Sequence, residues 1–370
     1  AALVAGSTVV FKPSELTPLE GLVESYLECA GIPDDWVQIV YGAGDVGSAL
    51  IAERPEKVFF TGSVATGKKI MAQAATQLIP VELELGGKDP MLVFDDVNLE
   101  RAVQGALWGM LTNAGQSCTS VERLYVQRSI YPEFRDRLVA LAKEITLGID
   151  ADGSADMGRM TSPRQIDIVR DLLTDAKANG ARLLCGDQWD GVSAFIPPTV
   201  VEGSTHAMRI NQEEIFGPVV TIFPFDTEAE AVRLANDSAF GLSASVWTAD
   251  KARGERVARA LVTGNVSVNN VMLSEGNHAL PFGGVKDSGI GRYKGVHGLR
   301  GFCNQKSVLL DGNSAKLEAN WYPYTAKKYG LFGRLTDALF RHGPAAFVQF
   351  ALSGLGLESY SQKAKRDEKA

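Results

Sequence analysis

The sequence is poor in the residue types that build metal centres and disulfide frameworks. Its 370 residues include four cysteines and four histidines, and no two cysteines form a CxxC pair. The cysteines are Cys29, Cys118, Cys185 and Cys303, and the histidines are His206, His278, His297 and His342. Residues this dispersed indicate neither a zinc site nor a set of disulfides, so we expect no metal and reduced thiols.

The sequence also lacks an excess of positive charge. Lysine and arginine number 37 against 44 aspartates and glutamates, for a net charge of −7, which argues against a nucleic-acid partner. The composition, 45% hydrophobic and 22% charged, is that of a globular protein, and the length suggests at least two domains. The chain begins without methionine and enters a strand directly. The lack of a signal peptide at such a start indicates nothing, and the reduced thiols expected above favour a cytoplasmic protein.

One cysteine stands in a conspicuous loop. Cys118 lies in the small-residue stretch 113–120, behind a segment of helical period that runs from Leu99 to Thr112 with Asn98 as N-cap. The apolar positions of that period are Ala102, Val103, Ala106, Leu107, Met110 and Leu111. Gly115 is expected to let the backbone approach a ligand closely. A thiol at the end of such a helix suits a nucleophile whose own N–H stabilises an oxyanion, and the alternative is a buried structural thiol.

A second stretch carries two carboxylates. Residues 81–88 alternate apolar and acidic side chains, which places Glu82 and Glu84 on one face of a strand. Glu84 stands at the strand end before Gly86, where the functional residues of open sheets gather. We therefore interpret Glu84 as a candidate base and Glu82 as part of a solvated strand face.

Six motifs together resemble the aldehyde dehydrogenase superfamily. They are KPSE at 12–15, FTGS at 60–63, ELGGKDP at 84–90, GQSCTS at 115–120, EEIFGPV at 213–219 and PFGGVKDSGIGR at 281–292. They occur in the order of that family, across residues 1–310. The chain is similar to its hydrolytic, NAD(P)-dependent members, with the N-terminal part lacking.

The resemblance implies an α/β fold with the remainder of a Rossmann-type cofactor domain and an α/β catalytic domain. We expect residues 1–86 to form the C-terminal part of the NAD-binding domain and 87–280 the catalytic domain. Residues 281–310 would return to the cofactor and oligomerisation region, and 311–370 would form a helical extension. The apolar pattern predicts an early helix from Leu16 to Ala30.

The resemblance also implies roles for particular residues. Cys118 would be the nucleophile and Glu84 the base, and no metal ligands are implied. The cofactor-binding residues would be Lys12, Glu15, Gly42, Phe60, Thr61, Gly62, Ser63, Leu85, Gly86, Glu214 and Phe216. The substrate-binding residues would be Trp108, Thr112, Thr119 and Phe282. Gly276 and Asn277 stand where many relatives carry an aromatic residue, which predicts a wider tunnel mouth.

The cofactor implied is NAD, with NADP as the alternative. A carboxylate at Glu15 would accept hydrogen bonds from ribose hydroxyls and repel a 2′-phosphate, so we favour NAD. In the chemistry implied, Cys118 forms a thiohemiacetal with an aldehyde, hydride passes to the cofactor, and Glu84 activates the water that hydrolyses the thioester. An asparagine that helps to hold the oxyanion in the family would lie upstream of Ala1. The presence of Glu84 favours hydrolysis over acyl transfer to coenzyme A.

Two other interpretations of function stay open at this point. The chain is then either an inactive or partner-dependent fragment of such an enzyme, or a cysteine hydrolase or esterase. For the intact form, the family implies a homodimer or homotetramer.

The last residues depart from the family pattern. A predicted amphipathic helix over 327–342 is followed by an apolar stretch over 345–357 and the basic run Lys363–Arg366. The apolar stretch is too short to span a bilayer. One interpretation is a peripheral membrane contact through residues 325–370. The other is a helical tail that packs on the subunit or its partner, or covers the tunnel.

Overall fold

The structure is a computed structural model, and it describes residues 1–149, 153–312 and 317–367. The chain divides into two compact units, Ala1–Asn304 and Gln305–Ala370. Every predicted site residue belongs to the first unit.

The described residues form strands of two to seven residues. In chain order they are β1 (Val9–Phe11), β2 (Val37–Ile39), β3 (Val58–Thr61), β4 (Val81–Glu84), β5 (Asp89–Val93), β6 (Val121–Gln127), β7 (Arg182–Leu183), β8 (Thr199–Glu202), β9 (Val219–Phe225), β10 (Ser243–Trp247), β11 (Asn265–Val268) and β12 (Gly289–Ile290).

The helices lie mostly between the strands. They are α1 (Leu22–Cys29), α2 (Gly44–Ala52), α3 (Val64–Ala75), α4 (Leu99–Leu111), α5 (Tyr131–Glu144), α6 (Pro163–Ala178), α7 (Arg209–Gln212), α8 (Glu228–Asn236), α9 (Lys251–Ala260), α10 (Leu273–Gly276), α11 (Gly295–Arg300), α12 (Ala326–Leu339) and α13 (Pro344–Asp367).

A seven-stranded sheet forms the centre of the first unit. Its strand order is β11-β10-β5-β6-β9-β8-β7, and every neighbouring pair is parallel except β7 with β8. Alternate residues of β5 enter different cores, since Met91 and Val93 pack with α4 to α6 whereas Leu92 and Phe94 pack with α8 and α9. Helices on both faces of a mostly parallel sheet define an α/β fold, as predicted.

Two small sheets are built from the early strands. β1 pairs with β2 in parallel, and β4 lies between parallel β3 and antiparallel β12. The β4–β12 register places Gly289 opposite Glu84, so the PFGGVKDSGIGR segment returns to the strand that carries the candidate base. The domain boundaries expected at residues 86, 280 and 310 stay predictions.

Helix α4 forms where its apolar period and N-cap predict it. Asn98 accepts a hydrogen bond from the Arg101 N–H at 3.0 Å, and its six apolar positions are all buried. Helix α1, in contrast, is shorter than the predicted Leu16–Ala30. It begins at Leu22 because Leu19 (φ 48°) and Gly21 (φ 79°) adopt left-handed backbone conformations that a helix does not continue through.

The expectation for Glu82 was wrong. Its side chain is buried, and it pairs with the Lys57 ammonium at 2.5 Å. Gly291, which follows β12, lies against the Glu82 side chain, so the strand face that alternation alone assigned to solvent is covered at this position.

The second unit is a helical hairpin. The Thr325 hydroxyl caps α12 by accepting the Lys328 N–H at 3.2 Å, and it is hydrogen-bonded to the Tyr360 hydroxyl of α13 at 2.9 Å. Gly356 of α13 lies against the Leu331 side chain. Among the described residues, no helix has the length and apolar character needed to cross a membrane.

Candidate active site

The loop that carries Cys118 is held in a left-handed turn behind α4. Asn113, Ala114 and Gly115 have φ values of 53°, 56° and 69°. A Cβ on Gly115 would lie 2.1 Å from the Gly217 carbonyl oxygen, so glycine is needed here for packing on the 213–218 loop. Among the described residues, the close approach at Gly115 is made to the backbone of Gly217.

The strand that ends at Glu84 meets the Cys118 loop through a glycine turn. A Cβ on Gly87 would lie 2.2 Å from the Cys118 carbonyl oxygen. Since no other side chain allows that approach, the Gly86-Gly87 turn is what brings the base motif and the cysteine motif together. The Glu84 side chain is buried next to Gly283, whose Cβ position lies 2.8 Å from Glu84 Oε1.

Burial determines the protonation of both groups. It raises the pKa of Glu84 to about 8, helped by the neighbouring charge of Glu82 and opposed by Arg292 and Lys294. It raises the pKa of the Cys118 thiol to about 12, with the Glu275 carboxylate as the next largest contribution. A neutral acid and a neutral thiol are the stable forms in this arrangement at neutral pH.

Glu275 belongs to this site, although the motifs did not point to it. It lies in the short helix α10, and its Oε2 accepts a hydrogen bond from the Thr119 hydroxyl at 2.7 Å. The Lys294 ammonium donates to the Glu275 carbonyl oxygen. The contact with Thr119 joins residues far apart in the chain, so local sequence patterns carry no signal for it.

The 213–218 loop places Glu214 against the same glycine turn. Glu214 Oε1 accepts the Gly87 N–H at 2.9 Å, and a Cβ on Gly86 would overlap its carboxylate. Burial raises the pKa of Glu214 to about 7, against the hydrogen bond from Gly87 and the charge of Lys88. The next-but-one residue, Phe216, has a left-handed φ of 50°.

A buried ion pair holds this loop from behind. The Lys88 ammonium contacts Glu122 Oε2 at 2.6 Å, and the two side chains are 0% and 3% exposed. Glu122 also accepts the Ile215 N–H at 3.0 Å and the Phe216 N–H at 2.8 Å. The carboxylate of Glu122 therefore fixes the backbone on which Glu214 and Phe216 stand.

The remaining predicted cofactor residues form two groups apart from Cys118. The Lys12 ammonium donates to the Gly42 carbonyl oxygen at 2.7 Å and lies 3.6 Å from the Glu15 carboxylate. Ser63 is the N-cap of α3, accepting the Thr66 N–H at 3.3 Å. This group also includes Phe60, Thr61, Gly62 and Leu85, with the Phe60 ring beside Gly62 and the Leu85 side chain against Gly67 of α3.

The predicted substrate residues occupy different environments. Trp108 is half exposed on the last turn of α4, where its carbonyl accepts the Thr112 hydroxyl at 2.7 Å. Thr119 is buried beside the thiol. Phe282 is fully buried, and it exchanges two backbone hydrogen bonds with Tyr293.

The fold and the assembled motifs define an α/β protein of the aldehyde dehydrogenase type. The profile of the aldehyde dehydrogenase family matches residues 1–308, and the chain belongs to that family. The resemblance read from the six motifs is thereby confirmed.

Two curated relatives extend this comparison. A 4,4′-diapolycopene aldehyde oxidase of Methylomonas is 42% identical over 370 residues, which is 100% of this chain and 66% of that protein. A betaine aldehyde dehydrogenase of Brucella melitensis is 43% identical over 318 residues, which is 84% of this chain and 65% of that protein. The chain thus spans slightly less than two thirds of the length of these relatives.

Solved structures agree with the fold. Betaine aldehyde dehydrogenase from Staphylococcus aureus, crystallised with NAD⁺, matches with a TM-score of 0.77 at 38% identity, over 86% of this chain and 64% of that chain. A variant of an aldehyde dehydrogenase from Bacillus cereus matches with a TM-score of 0.76 at 40% identity, over 80% of this chain and 61% of that chain.

Proposed function

We propose that this protein oxidises an aldehyde to a carboxylic acid, with NAD as the hydride acceptor. The observation that carries the proposal is the Gly86-Gly87 turn. It follows the strand that ends at Glu84, and it contacts both the Glu214 carboxylate and the backbone of the loop that carries Cys118. The family supports the reaction class, and the roles given below to Cys118 and Glu84 are those that the family resemblance implies.

The Cys118 thiol is the nucleophile in this proposal. Its proton leaves, its sulfur bonds to the aldehyde carbon, and the carbonyl electrons move to oxygen as an oxyanion. No described residue accepts a hydrogen bond from the Cys118 N–H, so that donor is available to the oxyanion. When hydride leaves the same carbon, the C=O bond re-forms and Cys118 is left as a thioester.

The chain offers hydrogen-bonding groups suited to a dinucleotide at three places. Glu15 presents an exposed carboxylate beside Lys12 for ribose hydroxyls, and the N-terminus of α3 at Ser63 presents N–H groups for a phosphate. Glu214 would accept from the second ribose, next to Phe216. The bound NAD⁺ would supply the hydride acceptor and a positive charge beside the thiol, which favours the thiolate. The carboxylate at Glu15 supports NAD over NADP.

Glu84 completes the reaction by activating water. It takes a proton from the water, whose oxygen attacks the thioester carbon, and the C–S bond breaks to release the acid and regenerate Cys118. With a pKa of about 8, the Glu84 carboxyl group ionises over the range just above neutral pH, so the basic form of its side chain increases there. A base poised near the working pH is the usual requirement for this step.

For the substrate we propose a long, apolar aldehyde. The 4,4′-diapolycopene aldehyde oxidase, named for a polyene aldehyde, matches this chain along its whole length. Gly276 supports the same choice. A Cβ built on Gly276 would have no atom within 4 Å, so this end of α10 leaves room for a long substrate at the predicted tunnel mouth. Betaine aldehyde, the substrate in the names of the other curated relatives, is the alternative substrate.

NADH formation tests the reaction and the substrate together. We expect NADH absorbance with long aliphatic or polyene aldehydes, less with betaine aldehyde, and none in Cys118→Ser. Gly276→Phe should reduce kcat/KM for long aldehydes more than for short ones. Acid formed without NAD would support a cysteine hydrolase instead. Absence of NADH with every aldehyde, from a chain shown to be folded by circular dichroism, would contradict the proposal.

A further inference from the structure

We propose that the helical hairpin of the second unit docks on the surface of an anionic phospholipid membrane through one face of α13. This binding goes beyond the proposed reaction and does not depend on it. The hairpin lies outside the region matched by the family profile, which ends at residue 308.

Helix α13 is apolar on two opposite faces. One face carries Ala346, Ser353 and Leu357, which are buried within the hairpin. The other carries Phe347, Val348, Leu352 and Leu355, which are 73%, 54%, 65% and 64% exposed. The spacing i, i+1, i+5 and i+8 places these four on one side of the helix, and we call them the exposed face. A surface helix needs only one apolar face to pack on its own fold, so the exposed face indicates a binding surface for a partner.

The turn of the hairpin extends the apolar surface. Leu339 and Phe340 end α12 at the turn, and they are 61% and 77% exposed. A helix of this kind is too short of apolar residues to cross a bilayer, in agreement with the absence of a candidate span in the described chain. Its large exposed apolar side chains suit the interface between headgroups and acyl chains.

The charge of the hairpin selects a lipid surface over a second copy of this chain. Residues 326–363 hold five lysines and arginines against two acidic residues, whereas the chain as a whole carries a net charge of −7. Lys327, Arg334, Arg341 and Lys363 are exposed around the apolar side chains. Two such basic hairpins would repel one another, and anionic headgroups would attract them. The basic residues Lys365 and Arg366 of the predicted flank lie outside the residues whose side chains are described.

The whole-length relative supports the same partner. The match to the diapolycopene aldehyde oxidase includes the hairpin. A long hydrocarbon aldehyde partitions into bilayers, so a chain that acts on one would meet its substrate at a membrane surface. On the proposed substrate, docking would deliver the active site to its aldehyde.

Vesicle co-sedimentation of the full chain tests the docking without any assay of activity. We expect the chain to sediment with vesicles of phosphatidylcholine and phosphatidylglycerol, and less with phosphatidylcholine alone. The variant Phe347→Ser/Leu352→Ser/Leu355→Ser should lose binding by on the order of tenfold or more, because three large side chains no longer enter the interface. Arg334→Gln/Arg341→Gln should weaken binding only to the anionic vesicles, by about fivefold per charge.

The matched control is Val192→Ser/Val262→Ser, which removes two exposed apolar side chains from the first unit and should leave binding unchanged. Light scattering of each variant without lipid shows whether the chain forms a dimer, in which a second copy of the chain would cover the exposed face in place of lipid. Equal sedimentation of the triple variant and the unmodified chain would overturn the proposal. The proposal would also be overturned if the unmodified chain bound neither kind of vesicle but formed a dimer, and the triple variant were monomeric.

Discussion

The buried pair of Lys88 and Glu122 gives a prediction that the structure makes quantitative. Glu122 is the only carboxylate shown in contact with the Lys88 ammonium in the described chain, and both side chains are almost fully enclosed. Replacing Glu122 by glutamine keeps an oxygen for the Ile215 and Phe216 N–H groups but leaves the ammonium without a counter-charge. Breaking a buried pair in this way typically costs about 3–5 kcal/mol.

The lower end of that range is expected here. Burial already lowers the pKa of Lys88, so the lysine of the variant can lose its proton and avoid part of the cost. We therefore expect Glu122→Gln to lower the free energy of unfolding by about 3 kcal/mol near neutral pH. Because the neutral lysine is favoured at high pH, the loss should shrink as the pH rises.

The double variant separates the charge from the packing. Lys88→Met/Glu122→Gln removes both charges and keeps the amide oxygen, so its loss should be at least about 2 kcal/mol smaller than the sum of the single losses. Denaturant unfolding at constant pH measures all three. An exposed pair offers a matched control, since Arg128 and Asp226 are 59% and 56% exposed, and Asp226→Asn should cost less than about 1 kcal/mol.

A functional measurement checks that the pair acts through the 213–218 loop. If Glu122 positions Glu214 and Phe216, Glu122→Gln should raise the KM for NAD more than it lowers kcat. A loss below about 1 kcal/mol, or additive losses in the double variant, would refute the electrostatic reasoning. An unchanged KM for NAD in a destabilised variant would show that the pair is structural only.

Three further predictions concern the site itself. In the proposed reaction kcat should rise with pH through about 8, and Glu84→Gln should abolish this rise and leave a single burst of NADH; steady acid release by Glu84→Gln would contradict it. Glu275→Gln should lower the pKa of Cys118 and speed its alkylation by iodoacetamide at neutral pH, since Glu275 is the largest electrostatic contribution that raises it; an unchanged alkylation rate would show that burial alone acts. Gly115→Ala should lower the free energy of unfolding by about 1–3 kcal/mol, because its Cβ would overlap the Gly217 carbonyl. Gly158→Ala is the control, since its Cβ would meet open space, and it should leave thermal unfolding nearly unchanged.

The parts of the fold that the sequence predicted are those set by local patterns. The period of α4 and the capping residue Asn98 depend on side chains within a few positions of one another, and both were confirmed. Glu82 was misplaced because alternation shows which residues share a face, but not that the segment after β12 covers that face.

The contacts that make the site, in contrast, join distant parts of the chain. Glu275 reaches Thr119 across 156 positions, and Glu122 reaches Phe216 across 94. No periodicity or spacing specifies such pairs, and the motifs identified only the residues on one side of each. Family resemblance supplied Cys118 and Glu84, whereas the groups that set their protonation became visible only in three dimensions.

The protonation of the site follows from how these distant contacts are arranged. Burial is the largest cause that raises the pKa of Cys118, and the carboxyl groups of Glu275, Asp89, Glu214 and Glu84 raise it further to the extent that they are ionised. A thiol in such buried, partly negative surroundings stays protonated at neutral pH until a positive charge enters. On the proposed function, the charge that enters is that of the oxidised cofactor, so the nucleophile would form only when a hydride acceptor is in place. The same field would favour release after the reaction, because the reduced cofactor is neutral at its ring and no longer offsets the carboxylates. The negative surroundings of Cys118 would thus couple activation of the thiol to the redox state of the cofactor.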